Sequence, residues 1–279
     1  MKKLAGKIAV VTGASRGVGK GIALELAAHG ATVYVTRRTE NDDGLPDFFK
    51  GTTIHKTAEE VNQIGGVGIA HRCDFSKDED IKVLFERVKN EQGKLDILVN
   101  NAFAADKHAM SAYFANTPFW KQPIALLDDL YAVGLRSGYL SSQYAAEMMA
   151  EQKSGLITNI SFYSARQYWI NPPIGVVKVA VDKMTADTAH ELKEFGVKVF
   201  SLYPGVVSTE GSLELAKYVK NTNEMESAQF VGMCIAALAL DDSAIERSGK
   251  VLLTGEVAEQ YGFTDINGKQ PKPLKEVLW

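Results

Sequence analysis

The sequence predicts an α/β fold: a single-domain, doubly wound parallel sheet of about seven strands flanked by helices. Three observations predict it. Short runs of β-branched and other apolar residues alternate with longer runs of helical period along the 279 residues. Most of the short runs are apolar on both faces, as strands covered by helices on either side must be. A glycine-rich turn, Thr12-Gly13-Ala14-Ser15-Arg16-Gly17-Val18-Gly19, joins the first short run directly to an amphipathic helical stretch.

Taken in order, strands are expected at 8–12, 32–36, 68–73, 96–100, 156–161, 197–203 and 250–253. Helices are expected between them at 17–29, 58–64, 78–91, 125–153, 175–195 and 227–240. Strands joined by helices pair in parallel, because a tight hairpin cannot make that connection. Gly30, Gly93 and Gly196 stand where a helix stops in a left-handed residue. Two stretches break the rhythm and read as inserted loops: 39–56, carrying Asn41-Asp42-Asp43-Gly44, and 104–123, rich in aromatics. A third, 206–226, is polar and irregular, the character of a lid over substrate. No linker and no internal repeat divides the chain, so 1–279 is expected to form one domain.

Composition excludes several function classes. With 46% hydrophobic and 23% charged residues the chain is neither disordered nor collagen-like. Thirty-one Lys and Arg against 34 Asp and Glu leave a net charge of −3, no basis for neutralising a phosphate backbone, so no nucleic-acid partner is expected. The longest apolar stretch, 230–240, is interrupted by Gly232 and is about half the length that spans a bilayer, so no membrane segment is expected. The start, Met1-Lys2-Lys3-Leu4, precedes an apolar run too short for export. Cys73 and Cys234 make neither a disulfide framework nor a thiolate metal site, which fits a cytoplasmic protein. His29, His55, His71, His108 and His190 have no ligand spacing, and no metal is expected.

The turn after the first strand carries the strongest chemical signal. A strand, a glycine turn and a helix N-terminus present free N–H groups and a positive dipole end to an anion, and missing Cβ atoms let a pyrophosphate approach the backbone. A dinucleotide is the natural ligand of Gly13, Ser15, Arg16, Gly17, Val18 and Gly19. Its type follows from the end of the second strand, where an acidic residue would bind a free ribose 2′-hydroxyl. Arg37 and Arg38 stand there instead, with Arg16 approaching from the loop, and guanidinium groups favour a 2′-phosphate. The expected cofactor is NADP(H).

The G-x-x-x-G-x-G spacing of T-G-A-S-R-G-V-G resembles that of the short-chain dehydrogenase/reductase family, whose fold is of the Rossmann type. Further matches follow in order: Asp74, Asn100-Asn101-Ala102, Ser161, Lys178 and Tyr203-Pro204-Gly205-Val206-Val207-Ser208-Thr209. Phe119-Trp120-x-x-Pro123, Val133-Gly134-Leu135-Arg136 and Ser248-Gly249-Lys250-Val251-Leu252 are similar to the branch of dehydrogenase/reductase member 1. The resemblance implies that Asp74, with Phe75 beside it, holds the adenine and that Asn101 and Ala102 line the ribose. Pro204 and Gly205 open a segment in which Val207 and Thr209 contact the nicotinamide carboxamide or the pyrophosphate. It also implies hydride transfer to or from a small carbonyl or alcohol substrate, in a homodimer or homotetramer.

In such a family the proton donor is a tyrosine, activated by a lysine four residues on along the same helix face. Four residues before Lys178 stands Ile174, which has no proton to give. Ser161 lies 13 residues before Ile174, as the family spacing implies, so the register holds. Gly134 likewise replaces the usual Asn. What the resemblance leaves as catalytic is Ser161, bonding a substrate oxygen, and Lys178, holding the nicotinamide ribose. Tyr163 and Tyr168 follow Ser161 closely and are candidates to restore a phenol, or else wall aromatics. Tyr113, Phe114, Phe119, Trp120, Tyr168 and Trp169 are expected near the strand ends, lining an apolar pocket or packing an insert. Two functions therefore remain: an NADP(H)-dependent oxidoreductase with an atypical site, or a sensor or scaffold that binds NADP(H) without turnover.

Overall fold

The computed structural model describes residues 2–104, 108, 114, 117–215 and 225–273. Its strands are β1 (Ile8–Thr12), β2 (Thr32–Arg37), β3 (Val67–Arg72), β4 (Ile97–Asn100), β5 (Gly155–Ile160), β6 (Val197–Tyr203), β7 (Val207–Ser208), β8 (Glu226–Ser227) and β9 (Val251–Leu253). Seven form one sheet in the order β3-β2-β1-β4-β5-β6-β9, every pair parallel. The sheet is the doubly wound one that the alternation predicts. β7 and β8 make a separate parallel pair.

The helices are α1 (Gly17–Ala28), α2 (Ile54–Gln63), α3 (Asp78–Gln92), α4 (Ile124–Leu130), α5 (Ser137–Gln152), α6 (Pro172–Leu192), α7 (Glu210–Leu215), α8 (Ala228–Leu240) and α9 (Thr254–Tyr261). Period-2 alternation within the strands divides the core between the two faces of the sheet. Ala9, Val11, Val33 and Val35 join Ile22, Leu26, Phe230 and Ile235 on one face. Ile8, Val10, Tyr34 and Leu98 join Ile81, Leu84, Phe85 and Met149 on the other.

Element starts differ from the sequence expectation where a cap overrides the hydrophobic period. α2 begins at Ile54 rather than 58, because the Thr53 side chain accepts the Lys56 N–H at 3.1 Å. α6 begins at Pro172 rather than 175: the Asn171 side chain accepts the Ile174 N–H at 3.1 Å, and Pro172 gives up no bonded N–H at the first position. The single helix expected at 125–153 is instead α4 and α5 joined by a π-helical turn, Tyr131–Arg136. Gly134 lies in this wide turn. α7, α9 and the β7–β8 pair are additions to the expected elements, too short or too polar to show a period. Residues 216–224 of the expected lid, and Tyr113 with most of 105–116 of the aromatic insert, lie outside the described residues.

Among the described residues no helix is long and apolar enough to cross a membrane, and no group of three or more His, Cys, Asp or Glu side chains could hold a metal ion. Cys73 and Cys234 are free and buried.

Candidate active site

The site is assembled at the carboxyl ends of β1, β2, β3, β4 and β5. Thr12 ends β1, and its Oγ1 accepts hydrogen bonds from the N–H groups of Asn101 (2.8 Å) and Ala102 (2.9 Å), tying the end of β4 to the glycine turn. The Asn101 amide donates back to Thr12 O at 2.8 Å and Gly13 O at 3.2 Å. The turn demands glycine for two separate reasons. Gly13 and Gly17 have φ of +70° and +57°, which L side chains rarely adopt. Gly19 is needed for space, since a Cβ there would fall 2.5 Å from both Gly13 O and Asn101 Nδ2.

Two adjoining cavities run from this turn. One, of about 230 Å³, is lined by Gly13, Arg16, Gly17, Val18, Gly19, Arg37, Phe49, Asn101, Ala102, Phe103, Thr209, Glu210 and Gly211. The other, of about 50 Å³, is lined by Gly13, Arg37, Arg38, Cys73, Asp74, Phe75, Ala102, Phe103, Ala104 and Val133. Gly13, Arg37, Ala102 and Phe103 border both, so the two adjoin as one groove at the carboxyl ends of the strands. Burial pushes the Asp74 carboxyl up, but hydrogen bonds from the Ser76 hydroxyl (2.8 Å) and N–H (3.1 Å) and the charge of Arg38 outweigh it. Asp74 is thereby held below the ordinary carboxylate range and stays an acceptor.

Farther along the edge, β5 delivers Ser161 and α6 delivers Lys178. The Lys178 Nζ donates to Ile160 O at 2.9 Å and lies 4.3 Å from the centroid of the Phe103 ring. Lys178 is 8% exposed, and burial lowers its pKa to about 8 against the opposing pull of Asp182 one turn on. The Ser161 hydroxyl is buried and donates to Lys178 O at 3.4 Å, the long end of a hydrogen bond. Ile174, one turn before Lys178, is 6% exposed in an apolar cluster with Phe114, Leu126, Leu130 and Val177.

The family model of the short chain dehydrogenases matches residues 7–219. The chain belongs to the short-chain dehydrogenase family. It is 41% identical to mouse dehydrogenase/reductase SDR family member 1, with 96% of this chain and 85% of that protein covered. To the human protein of the same name it is 39% identical, covering 98% and 86%. Among solved structures it is similar to a 7α-hydroxysteroid dehydrogenase complexed with NADH and 7-oxo glycochenodeoxycholic acid, with a TM-score of 0.73, 25% identity and 96% of each chain covered.

In this short-chain dehydrogenase the structure brings most of the expected positions to the groove, but not all. Ser15 is buried, its hydroxyl has no hydrogen-bond partner among the described residues, and its carbonyl accepts from the Thr57 hydroxyl at 3.2 Å. Pro204 and Gly205 are buried, and the Gly205 N–H serves the Glu226 carboxyl. Thr209 lines the groove, whereas Val207 packs against the core. Among the described residues, the contacts of the two tyrosines that could restore a phenol run elsewhere than Lys178. Tyr168 is 75% exposed and its hydroxyl donates to Ile170 O at 2.8 Å. Tyr163 meets the Tyr203 ring edge-on, centroids 6.5 Å apart. Phe119 and Trp120 are exposed and pack on each other, whereas Phe114 belongs to the apolar cluster around Ile174.

Among the groove residues that carried no advance signal of their own are Phe103, Glu210 and Phe49. Phe103 and Glu210 directly follow Ala102 and Thr209, so adjacency to a matched motif would have been a signal. Phe49 has none, because it sits inside the 39–56 insert.

Proposed function

We propose that this short-chain dehydrogenase binds NADP(H) in the groove and catalyses hydride transfer between it and a small carbonyl or alcohol substrate, through a site without the usual tyrosine. The observation that carries the reading is the groove itself, which joins the glycine turn and the N-terminus of α1 to Arg37 and Arg38 at the end of β2. The fit is steric as well as electrostatic: the missing Cβ atoms of the turn let a pyrophosphate approach its backbone, where the Gly17 N–H now serves Glu210, and no carboxylate follows β2 to repel a 2′-phosphate before Glu40. The relative bound to NADH supports a nicotinamide dinucleotide as the class of ligand. The arginines argue for the phosphorylated form.

In this reading Arg16, Arg37 and Arg38 hold the 2′-phosphate, Asp74 accepts from the adenine amino group beside Phe75, and Asn101 and Ala102 line the ribose. Val207 and Thr209, beyond Pro204 and Gly205, border the far end of the cofactor. The bound nicotinamide supplies or accepts the hydride. Lys178 holds the adjoining ribose, Ser161 donates to the substrate oxygen, and Ile174 contributes apolar surface and no proton. Positioning two reactants contributes more to rate than acid assistance, about 10²–10⁴, so a site without the phenol still supports slow turnover. Val176 and Val179 of α6 and Tyr139 of α5 are exposed and supply an apolar surface for a second copy in a homodimer or homotetramer. Two free buried thiols suit the cytoplasm.

The second reading, an NADP(H)-binding sensor or scaffold, is favoured by one observation: Ile174 is enclosed by apolar side chains, where a proton donor would need a polar partner. Purified protein with NADPH and a panel of aldehydes and ketones, alongside Ile174→Tyr, separates the two. Slow NADPH oxidation that rises in the variant supports the enzyme. Saturable NADPH binding with no oxidation in either form overturns it in favour of the sensor.

A further inference from the structure

The 39–56 insert reaches the cofactor groove through one ring. Phe49 lies in a 3-10 turn, Asp47–Phe49, with its ring centroid 4.0 Å from the guanidinium carbon of Arg16. Arg16 is only 8% exposed, and its Nη1 donates to Thr52 Oγ1 at 3.4 Å. Thr52 Oγ1 donates in turn to Phe49 O at 2.6 Å, so a single hydroxyl ties the turn carrying the ring to the arginine stacked on it. The turn is braced from behind, where Asp42 accepts the Gly51 N–H at 2.8 Å. Across the ring lies the first turn of α7, where a Cβ at Gly211 would be 3.5 Å from Phe49 Cζ.

An arginine brings a long flexible stem to any site, and ordering it costs side-chain entropy each time a phosphate is bound. Stacking on an aromatic face meets that cost in advance. It engages the flat face of the guanidinium, while the N–H donors lie in its plane and point outward from the edge, where a phosphate is met. Arg16 immediately precedes Gly17 and lines the same cavity as Arg37.

We propose that Phe49 is a positioning residue which holds Arg16 ready for the 2′-phosphate, so that the insert contributes to the choice between NADP(H) and NAD(H). The inference rests on the NADP(H) reading of the groove and acts through Arg16. Phe49 itself bonds nothing on the cofactor.

The test measures dissociation constants for NADPH and NADH by calorimetric titration on the full chain, as wild type, Phe49→Leu, Phe49→Tyr, Arg16→Ala and the Phe49→Leu/Arg16→Ala pair. Leucine keeps the apolar bulk without the π face, and thermal unfolding confirms that each variant folds. Phe49→Leu is expected to weaken NADPH about fivefold with NADH changed less than about twofold, a size set by a partly buried cation–π contact. Phe49→Tyr retains wild-type affinity for both, and Phe49→Leu adds no further loss once Arg16 is gone. Equal weakening of both nucleotides, or losses that multiply in the double variant, overturns the positioning role. A wild type that binds NADPH no more tightly than NADH overturns the NADP(H) reading itself, and this inference with it.

Discussion

Glu210 accepts a hydrogen bond from the backbone N–H of Gly17: its Oε2 lies 3.0 Å from that nitrogen, at the N-terminus of α1. The carboxylate thus occupies the position where helix dipole and open amides favour an anion, and both residues line the groove. A dinucleotide pyrophosphate meets a like charge there and must displace it. Glu210→Gln, which removes the charge and keeps an acceptor, is expected to tighten NADPH binding by about three- to tenfold, the scale of one helix-terminus charge. Calorimetric titration checks it; unchanged affinity would mean that the carboxylate swings clear at no cost.

Arg37 borders both halves of the groove, and Arg38 lies close enough to Asp74 to lower its pKa. Replacing both with Gln is expected to raise the NADPH dissociation constant by about 10–100-fold while moving that for NADH by less than about threefold. Parallel titrations with the two nucleotides decide. Equal losses would leave the 2′-phosphate assignment without support.

Gly134 has room for no side chain while Phe103 stays where it is. An added Cβ would lie 2.7 Å from two carbons of that ring and 3.2 Å from Val177 Cγ1. Alanine in a helix ordinarily gains about 1 kcal/mol over glycine, yet here Gly134→Ala is expected to lower stability by about 1 kcal/mol. Adding Phe103→Leu should return most of that loss. Urea denaturation of the two variants and their combination provides the measurement, and a stabilised Gly134→Ala would show that the ring moves aside freely.

Burial lowers the Lys178 pKa from 10.5 to about 8, so the folded state resists the proton that the unfolded chain accepts. The penalty is present in full below pH 8 and fades as the pH climbs to 10.5, where the unfolded chain also turns neutral. Lys178→Met is therefore expected to be more stable than wild type at pH 7, by at most roughly 3 kcal/mol less the lost Ile160 hydrogen bond. The gap narrows at pH 10. Denaturation at both pH values tests it, and a gap independent of pH would rule out a titrating Lys178.

Glu226 titrates in the opposite sense. Burial raises its pKa to about 7, opposed by the Thr254 hydroxyl (2.7 Å) and the Gly205 N–H and reinforced by Asp265, and its Oε2 has no hydrogen-bond partner among the described residues. The folded state binds a proton that the unfolded chain has released, so stability falls between pH 4.5 and 7 and the full cost persists above. Glu226→Gln, which mimics the protonated acid, should match wild type at pH 4 and exceed it at pH 8 by up to roughly 3 kcal/mol. Thermal unfolding across that range reads the difference directly. A constant offset between the two proteins would place the carboxyl's titration elsewhere.

How far the fold could be read in advance depended on whether a signal was local. The strands at 8–12 and 197–203 end where the sequence predicts, because each is buried along its whole length and Gly13 or Pro204 closes it. The glycine loop was legible for the same reason: strand, turn and helix start are consecutive, and their chemistry needs no distant partner. Helix starts at 54 and 172 were set by single caps rather than by the hydrophobic period, which therefore placed them three or four residues late.

What the residues alone determined is the parallel α/β winding, the glycine turn with arginines at the second strand's end, and the isoleucine one helical turn before Lys178. Local spacing carries each of these, since helix and strand periods decide which side chains share a face. The tertiary structure decided the rest. Phe49 stacks on Arg16, Phe103 lies between Lys178 and Gly134, and Glu210 crosses 193 residues of chain to reach Gly17. These contacts join segments that no periodicity relates, and they exist because close packing of the assembled sheet and helices brings those loops to one edge.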